Sequence, residues 1–137
     1  MRDLVVDAWA VMVWLKGQQP AAERFRLLLE AADRRENRLA MNIVNLGEVF
    51  YLSVKAKDMA YGRQVLGTLH SRVLTVSADD ELVMLAATLK ARHAISYADG
   101  FAAATAILQN ATLVTGDPEI KAMAAVEKTL QLEWIGR

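Results

Sequence analysis

Four acidic residues, Asp7, Glu48, Asp99 and Asp117, stand beside apolar stretches where an unpaired carboxylate would be unstable. Asp7 ends a short apolar run, and Asp117 ends another that spans residues 111–117. Glu48 and Asp99 lie near the start of two amphipathic helical patterns. Carboxylates that meet in an apolar setting require a cation, and side-chain oxygens are the ligands that Mg²⁺ and Mn²⁺ prefer. The pattern therefore predicts a divalent-metal site and, with it, phosphate chemistry.

Each acid taken singly also fits an ordinary helix cap. Residues 96–99 match a capping box, residues 45–48 could form another, Asp117 precedes a proline, and Asp7 precedes a helical pattern. The neighbours of Glu48 and Asp99 at three and four positions are largely apolar, which turns both carboxylates toward the protein body. Capping explains an inward-facing acid poorly. The metal-site hypothesis and the capping interpretation both stay open at this point.

Short apolar runs alternate with longer helical periods along the chain, which is typical of an α/β fold with a parallel sheet. We predict a three-layer α/β/α domain with a central parallel sheet of four to five strands. Acids that follow parallel strands share the carboxyl edge of the sheet, where α/β proteins bind their ligands. The predicted strands cover residues 4–7, 39–42, 73–76, 111–115 and, at an edge, 130–135.

Composition limits the class of protein. The 137 residues suit one domain, 1–137, and 54% hydrophobic residues suffice for a full core. No apolar stretch approaches the length of about 20 residues that spans a membrane, and no signal peptide is visible. The absence of cysteine excludes disulfides and thiol chemistry and fits a cytoplasmic location. The formal net charge of zero neither indicates nor excludes a nucleic-acid partner.

Four motifs, in this order, resemble those of the PIN-domain ribonucleases, and among them the VapC-type toxins of prokaryotic toxin–antitoxin pairs. Each motif carries one of the four acids, and together they extend along almost the whole chain. One departure concerns the positions after the first acid, where the family often has Ser, Thr or Asn. Ala8 and Trp9 stand there instead. The motifs span residues 5–11, 45–49, 96–106 and 111–119.

This resemblance implies a metal-dependent endoribonuclease that leaves a 5′-phosphate. Asp7, Glu48, Asp99 and Asp117 would be its catalytic residues and would hold Mg²⁺ or Mn²⁺, with Glu48 as a further ligand or as a base. The expected partners are an RNA substrate, a cognate antitoxin that blocks the site, and a second copy of the chain in a homodimer. No membrane partner is expected.

Two other functions remain open from the sequence. One is a receiver-like domain that is phosphorylated on aspartate, although such domains usually carry adjacent acids after the first strand and a lysine after the last. The other is a PIN-fold binding protein that no longer cleaves RNA.

The three tryptophans, Trp9, Trp14 and Trp134, are interpreted as core or interface anchors, with base stacking as the alternative.

Overall fold

Five strands and seven helices alternate along the chain in the computed structural model, which describes residues 1–137. None of the helices has both the length and the apolar character needed to cross a membrane. In chain order the elements are β1 (Arg2–Val6), α1 (Ala8–Lys16), α2 (Ala21–Asp33), β2 (Asn37–Asn42), α3 (Ile43–Ala56), α4 (Met59–Arg72), β3 (Leu74–Val76), α5 (Asp80–Arg92), α6 (Tyr97–Leu108), β4 (Thr112–Thr115), α7 (Pro118–Val126) and β5 (Gln131–Trp134).

The strands form one parallel sheet in the order β3-β2-β1-β4-β5. The predicted α/β architecture is confirmed, and β5 is the edge strand that the sequence predicted. Val5 of the central strand pairs with Ala40 on one side and Leu113 on the other. Receiver domains have the strand order 2-1-3-4-5, so the receiver-like alternative is wrong.

The two faces of the central strand supply two separate cores. Leu4 and Val6 pack into one core with side chains of α1 to α4, while Val5 packs into the other with side chains of α5 to α7. This alternation follows from the two-residue period of a strand. Helices therefore cover both faces of the sheet, which confirms the three layers.

Local residues specify several of the helix ends. Gly17 ends α1 in the left-handed conformation with φ 68°, where a side chain would be strained. Ser96 and Asp99 form the predicted capping box at the start of α6. Residues 77–80 also match a capping box in the sequence, with Ser77 as the cap, but this prediction is wrong because Asp79 caps α5.

The predicted box at residues 45–48 is also wrong, because α3 begins earlier, at Ile43. The Asn42 side chain accepts a hydrogen bond from the Val44 backbone N–H at 2.9 Å, so the helix starts directly at the end of β2. Glu48 consequently lies within α3 and is not a cap residue. Its carboxylate is free of the capping role that the sequence left open.

Candidate metal centre

The carboxyl edge of the sheet brings the four predicted acids to one region of the molecule. Asp7 follows β1 directly, and Asp117 lies two residues beyond β4, the neighbouring strand. Glu48 is carried by α3, which leaves the same edge from β2. The start of α6, with Asp99, is tied to α3 because Asn45 Nδ2 donates to the Ala98 carbonyl at 2.9 Å.

Asp7 is the most buried of the four, with 2% of its surface exposed. The pKa of its carboxyl is raised from 3.8 to about 7, chiefly by burial and to a smaller extent by the charges of Asp99 and Asp117. Hydrogen bonds from the Thr115 hydroxyl and from the Ala10 backbone N–H, at 2.8 Å, act in the opposite direction. Asp7 therefore lies near the balance between its neutral and charged forms at neutral pH.

Glu48 and Asp99 are both half-buried, and the pKa of each is raised, chiefly by burial. The charges of Asp99 and Asp117 raise the pKa of Glu48 in addition, and that of Asp117 raises the pKa of Asp99. Hydrogen bonding to Ser96 partly offsets the shift at Asp99. The four carboxylates thus act on one another electrostatically, as a single acidic cluster.

Asp117 is linked to Asp7 through Thr115. The Asp117 backbone N–H donates to Thr115 Oγ1 at 3.1 Å, and the Thr115 hydroxyl donates to Asp7 Oδ2. The Asp117 side chain caps α7 by accepting a hydrogen bond from the Glu119 N–H at 2.9 Å. One buried hydroxyl therefore connects the ends of two adjacent strands that each carry an acid.

Capping and clustering coexist in this structure. Asp7, Asp99 and Asp117 each accept a local N–H, and no three His, Cys, Asp or Glu side chains stand close enough together to hold a metal ion as they are now oriented. Like charges favour this spread arrangement. The donor set is nevertheless composed of carboxylate oxygens, the type that Mg²⁺ and Mn²⁺ prefer, and a cation would relieve their repulsion. The residues fit such an ion.

Two contributors to this region were not predicted as site residues. Glu119 is exposed in the first turn of α7, and its charge raises the pKa of Asp99. Its position two residues after Asp117 could have indicated a site residue. Acids are common in the first turn of any helix for electrostatic reasons, however, so this position alone does not distinguish a site residue. Asn45 belongs to the motif of residues 45–49, whereas its contact with α6 depends on tertiary packing.

Comparison with known proteins decides the family. The family model described as "PIN domain" matches residues 4–126, which is most of the chain. The chain belongs to the PIN-domain family. No curated protein matches it.

Solved structures similar to this PIN domain include several toxin–antitoxin proteins. VapBC2 from Rickettsia felis, bound to a promoter DNA fragment, has a TM-score of 0.72 and 22% identity, covering 96% of this chain and 97% of the other. DNA-bound VapBC from Salmonella typhimurium has a TM-score of 0.72 and 17% identity, covering 98% and 99%. VapC20 from Mycobacterium tuberculosis, a sarcin-ricin loop cleaving toxin, has a TM-score of 0.71 and 13% identity, covering 87% and 93%. At these identities the likeness shows the shared fold.

Proposed function

We propose that this PIN domain is a metal-dependent endoribonuclease and the toxin of a toxin–antitoxin pair. The observation that carries the proposal is the cluster of four carboxylates from four separate elements at the carboxyl edge of a PIN fold. Their mutual influence on pKa values supports a shared cation. The similar VapC20 is a toxin that cleaves the sarcin-ricin loop, which supports RNA as the substrate.

Asp7, Asp99 and Asp117 would hold one or two Mg²⁺ or Mn²⁺ ions, with Glu48 as a further ligand or base. When bound, such an ion lowers the pKa of a water molecule and stabilises negative charge on a phosphate. The protein's own groups prepare the site for this. The Thr115 hydroxyl and the Ala10 N–H stabilise the charged form of Asp7, and the Ser96 N–H orients Asp99.

Glu48 suits proton transfer because its carboxylate is half-buried, does not cap a helix, and has a raised pKa. A carboxylate with a raised pKa is a stronger base than one in water. In this role Glu48 would take the proton from the attacking water, and the chain would need no nucleophilic side chain.

Similar solved structures contain VapB and VapC together, which supports a cognate antitoxin as the partner. A basic side chain of the antitoxin would enter the acidic cluster and replace the cation there. We also propose a homodimer, since the apolar content is high and the formal net charge is zero.

The test is cleavage of a mixed RNA pool by the purified protein with Mg²⁺ or Mn²⁺. We expect cleavage that EDTA abolishes and that added metal restores. Asp7→Asn and Asp99→Asn should each lose activity while remaining folded. Asp33→Asn is the matched control, because Asp33 ends α2 near the opposite edge of the sheet and pairs with Arg72.

Undiminished cleavage in excess EDTA would refute the metal mechanism. Binding of RNA without cleavage, under every metal condition, would instead favour a PIN-fold binding protein that does not cut.

A further inference from the structure

A pocket of about 360 Å³ lies directly beside the acidic cluster. Gly116 and Pro118, the two neighbours of Asp117 in the chain, both contribute to its lining. Trp9 and Trp134 supply its aromatic surface. The volume falls in the range of about 300–1,000 Å³ that is common for small-molecule sites. The pocket is therefore large enough for a flat organic group next to the catalytic carboxylates.

Two close approaches of glycine backbone shape this pocket. A Cβ atom added at Gly116 would lie 2.2 Å from ring carbons of Trp9, so the Trp9 indole rests on the backbone between Thr115 and Asp117. A Cβ atom added at Gly136 would lie 2.8 Å from Trp134 and 3.3 Å from the Cα of Gly116. Both indoles are thus seated on bare backbone at adjacent strand ends.

The two indoles are also available for stacking. Trp14 packs its ring against Phe25, with centroids 5.5 Å apart, whereas neither Trp9 nor Trp134 is paired with another aromatic ring. Both are partly exposed. Part of each indole is therefore exposed, although the Lys121 ammonium lies over the Trp134 ring.

Charge around the pocket suits a nucleic-acid strand. No Asp or Glu side chain lines it, although Asp117 stands between two lining residues, and Arg137 is part of the lining. Lys121 Nζ lies 4.7 Å from the ring centroid of Trp134, one helical turn beyond Asp117. The exposed Gln18 amide adds a group that can both donate and accept hydrogen bonds, and Gln19, whose Oε1 already accepts the Glu23 N–H at 3.0 Å, adds a donor.

We propose that this pocket binds a nucleobase of the RNA strand, next to the phosphate that reaches the acidic cluster. The base stacks on the Trp134 indole in place of the Lys121 ammonium, which turns to the sugar–phosphate backbone. The glutamine amides contact the edge of the base. This inference rests on the proposed function, because it takes RNA as the substrate. Base–aromatic stacking tolerates every base, so the pocket adds affinity more than sequence selectivity.

The test compares two dye-labelled probes of equal length and charge by fluorescence anisotropy in Mg²⁺. One is a single-stranded RNA of mixed sequence, and the other is the same strand with abasic nucleotides. The full chain carries Asp99→Asn, which prevents cleavage during the measurement. We expect the intact RNA to bind about 5- to 100-fold more tightly than the abasic strand.

Trp134→Leu in this background should reduce that ratio to nearly one, and Trp134→Phe should restore part of it by keeping a flat ring. Trp14→Leu is the matched control and should leave the ratio unchanged. Melting temperatures establish that each variant is folded. If Trp134→Leu does not fold, the test uses Trp134→Phe and Lys121→Gln instead. Lys121→Gln should weaken binding to both probes.

A ratio near one before any tryptophan is changed would overturn the pocket, and so would a ratio that Trp134→Leu does not alter. Failure of the nuclease proposal gives a different result. In that case wild type does not cleave RNA, and the probe ratio still decides whether the pocket binds a base.

Discussion

The Thr115 hydroxyl donates a hydrogen bond to Asp7 Oδ2, although 108 residues separate them in sequence. The contact is possible because β1 and β4 are neighbours in the sheet and both end at the same edge. The same hydroxyl oxygen accepts the N–H of Asp117. Thr115 therefore supports both strand-borne acids, in a chain that has Ala8 and Trp9 where the family often has a polar side chain after the first acid.

Thr115→Val should raise the pKa of Asp7 above its present value of about 7, since the lost hydroxyl stabilises the charged carboxylate. It should also lower stability by about 1–3 kcal/mol because the Asp117 N–H loses its acceptor. Carbon-13 NMR titration of the Asp7 carboxyl measures the first effect, and urea unfolding measures the second. Thr115→Ser keeps the hydroxyl and should behave like wild type; an unchanged Asp7 titration in the valine variant would contradict the assignment.

Asp7→Asn should stabilise the metal-free protein at neutral pH. Because the folded-state pKa of Asp7 is raised from 3.8 to about 7, its contribution to stability is full below pH 4 and is lost as pH rises to about 7. Across this pH range the free energy of unfolding of the variant should therefore rise relative to that of wild type, by up to about 4 kcal/mol. Its amide oxygen can still cap α1.

Urea unfolding in EDTA at pH 4 to 8 measures this difference between the two proteins. Mn²⁺ should reduce the difference in unfolding free energy between variant and wild type, because it stabilises wild type. A difference that does not change with pH would show that Asp7 is not the titrating group.

Divalent metal should raise the melting temperature of wild type, by an amount equivalent to about 2.7 kcal/mol when the free ion is a hundredfold above its Kd. Asp99→Asn should weaken this effect, since it removes a charge from the cluster. Ser96→Ala is the control: it should cost about 1 kcal/mol by removing the side-chain cap of α6, yet retain the metal response. If the acids served only as caps, neither protein would respond to metal in thermal melting.

Two glycines beside site acids should respond in opposite directions to alanine. At Gly100, next to Asp99, an added Cβ would lie 2.8 Å from the Ala86 carbonyl oxygen, so Gly100→Ala should destabilise by about 1–3 kcal/mol and displace the start of α6. At Gly47, next to Glu48, nothing lies within 4 Å, so Gly47→Ala should stabilise by about 0.5–1 kcal/mol. Chemical unfolding and RNA cleavage of the pair test this, and equal effects at both positions would contradict the packing argument.

The homodimer is tested by size-exclusion chromatography with light scattering at about 10–50 µM protein, since dimer populations depend on concentration. We expect twice the chain mass. A single-chain mass throughout this range would remove the dimer from the proposed function.

Local sequence patterns were sufficient to predict the order and type of the elements and the positions of Asp7 and Asp117 at strand ends. These features depend on local periodicity and on capping chemistry, which nearby residues specify. The errors of prediction were local as well. The capping box predicted at residues 45–48 does not form, because Asn42 at the end of β2 already caps α3.

Which side chains meet could not be predicted from the sequence, because it depends on how the strands are ordered in the sheet. The strand order that puts β1 beside both β2 and β4 is absent from any local pattern, yet it creates the Thr115–Asp7 hydrogen bond and the seat of Trp9 on Gly116. The size and cause of the pKa shift at Asp7 likewise depend on burial by residues distant in sequence. Residue types were enough to predict a cluster of carboxylates. How strongly each carboxylate is buried, repelled by the others or engaged as a helix cap depends on three-dimensional packing.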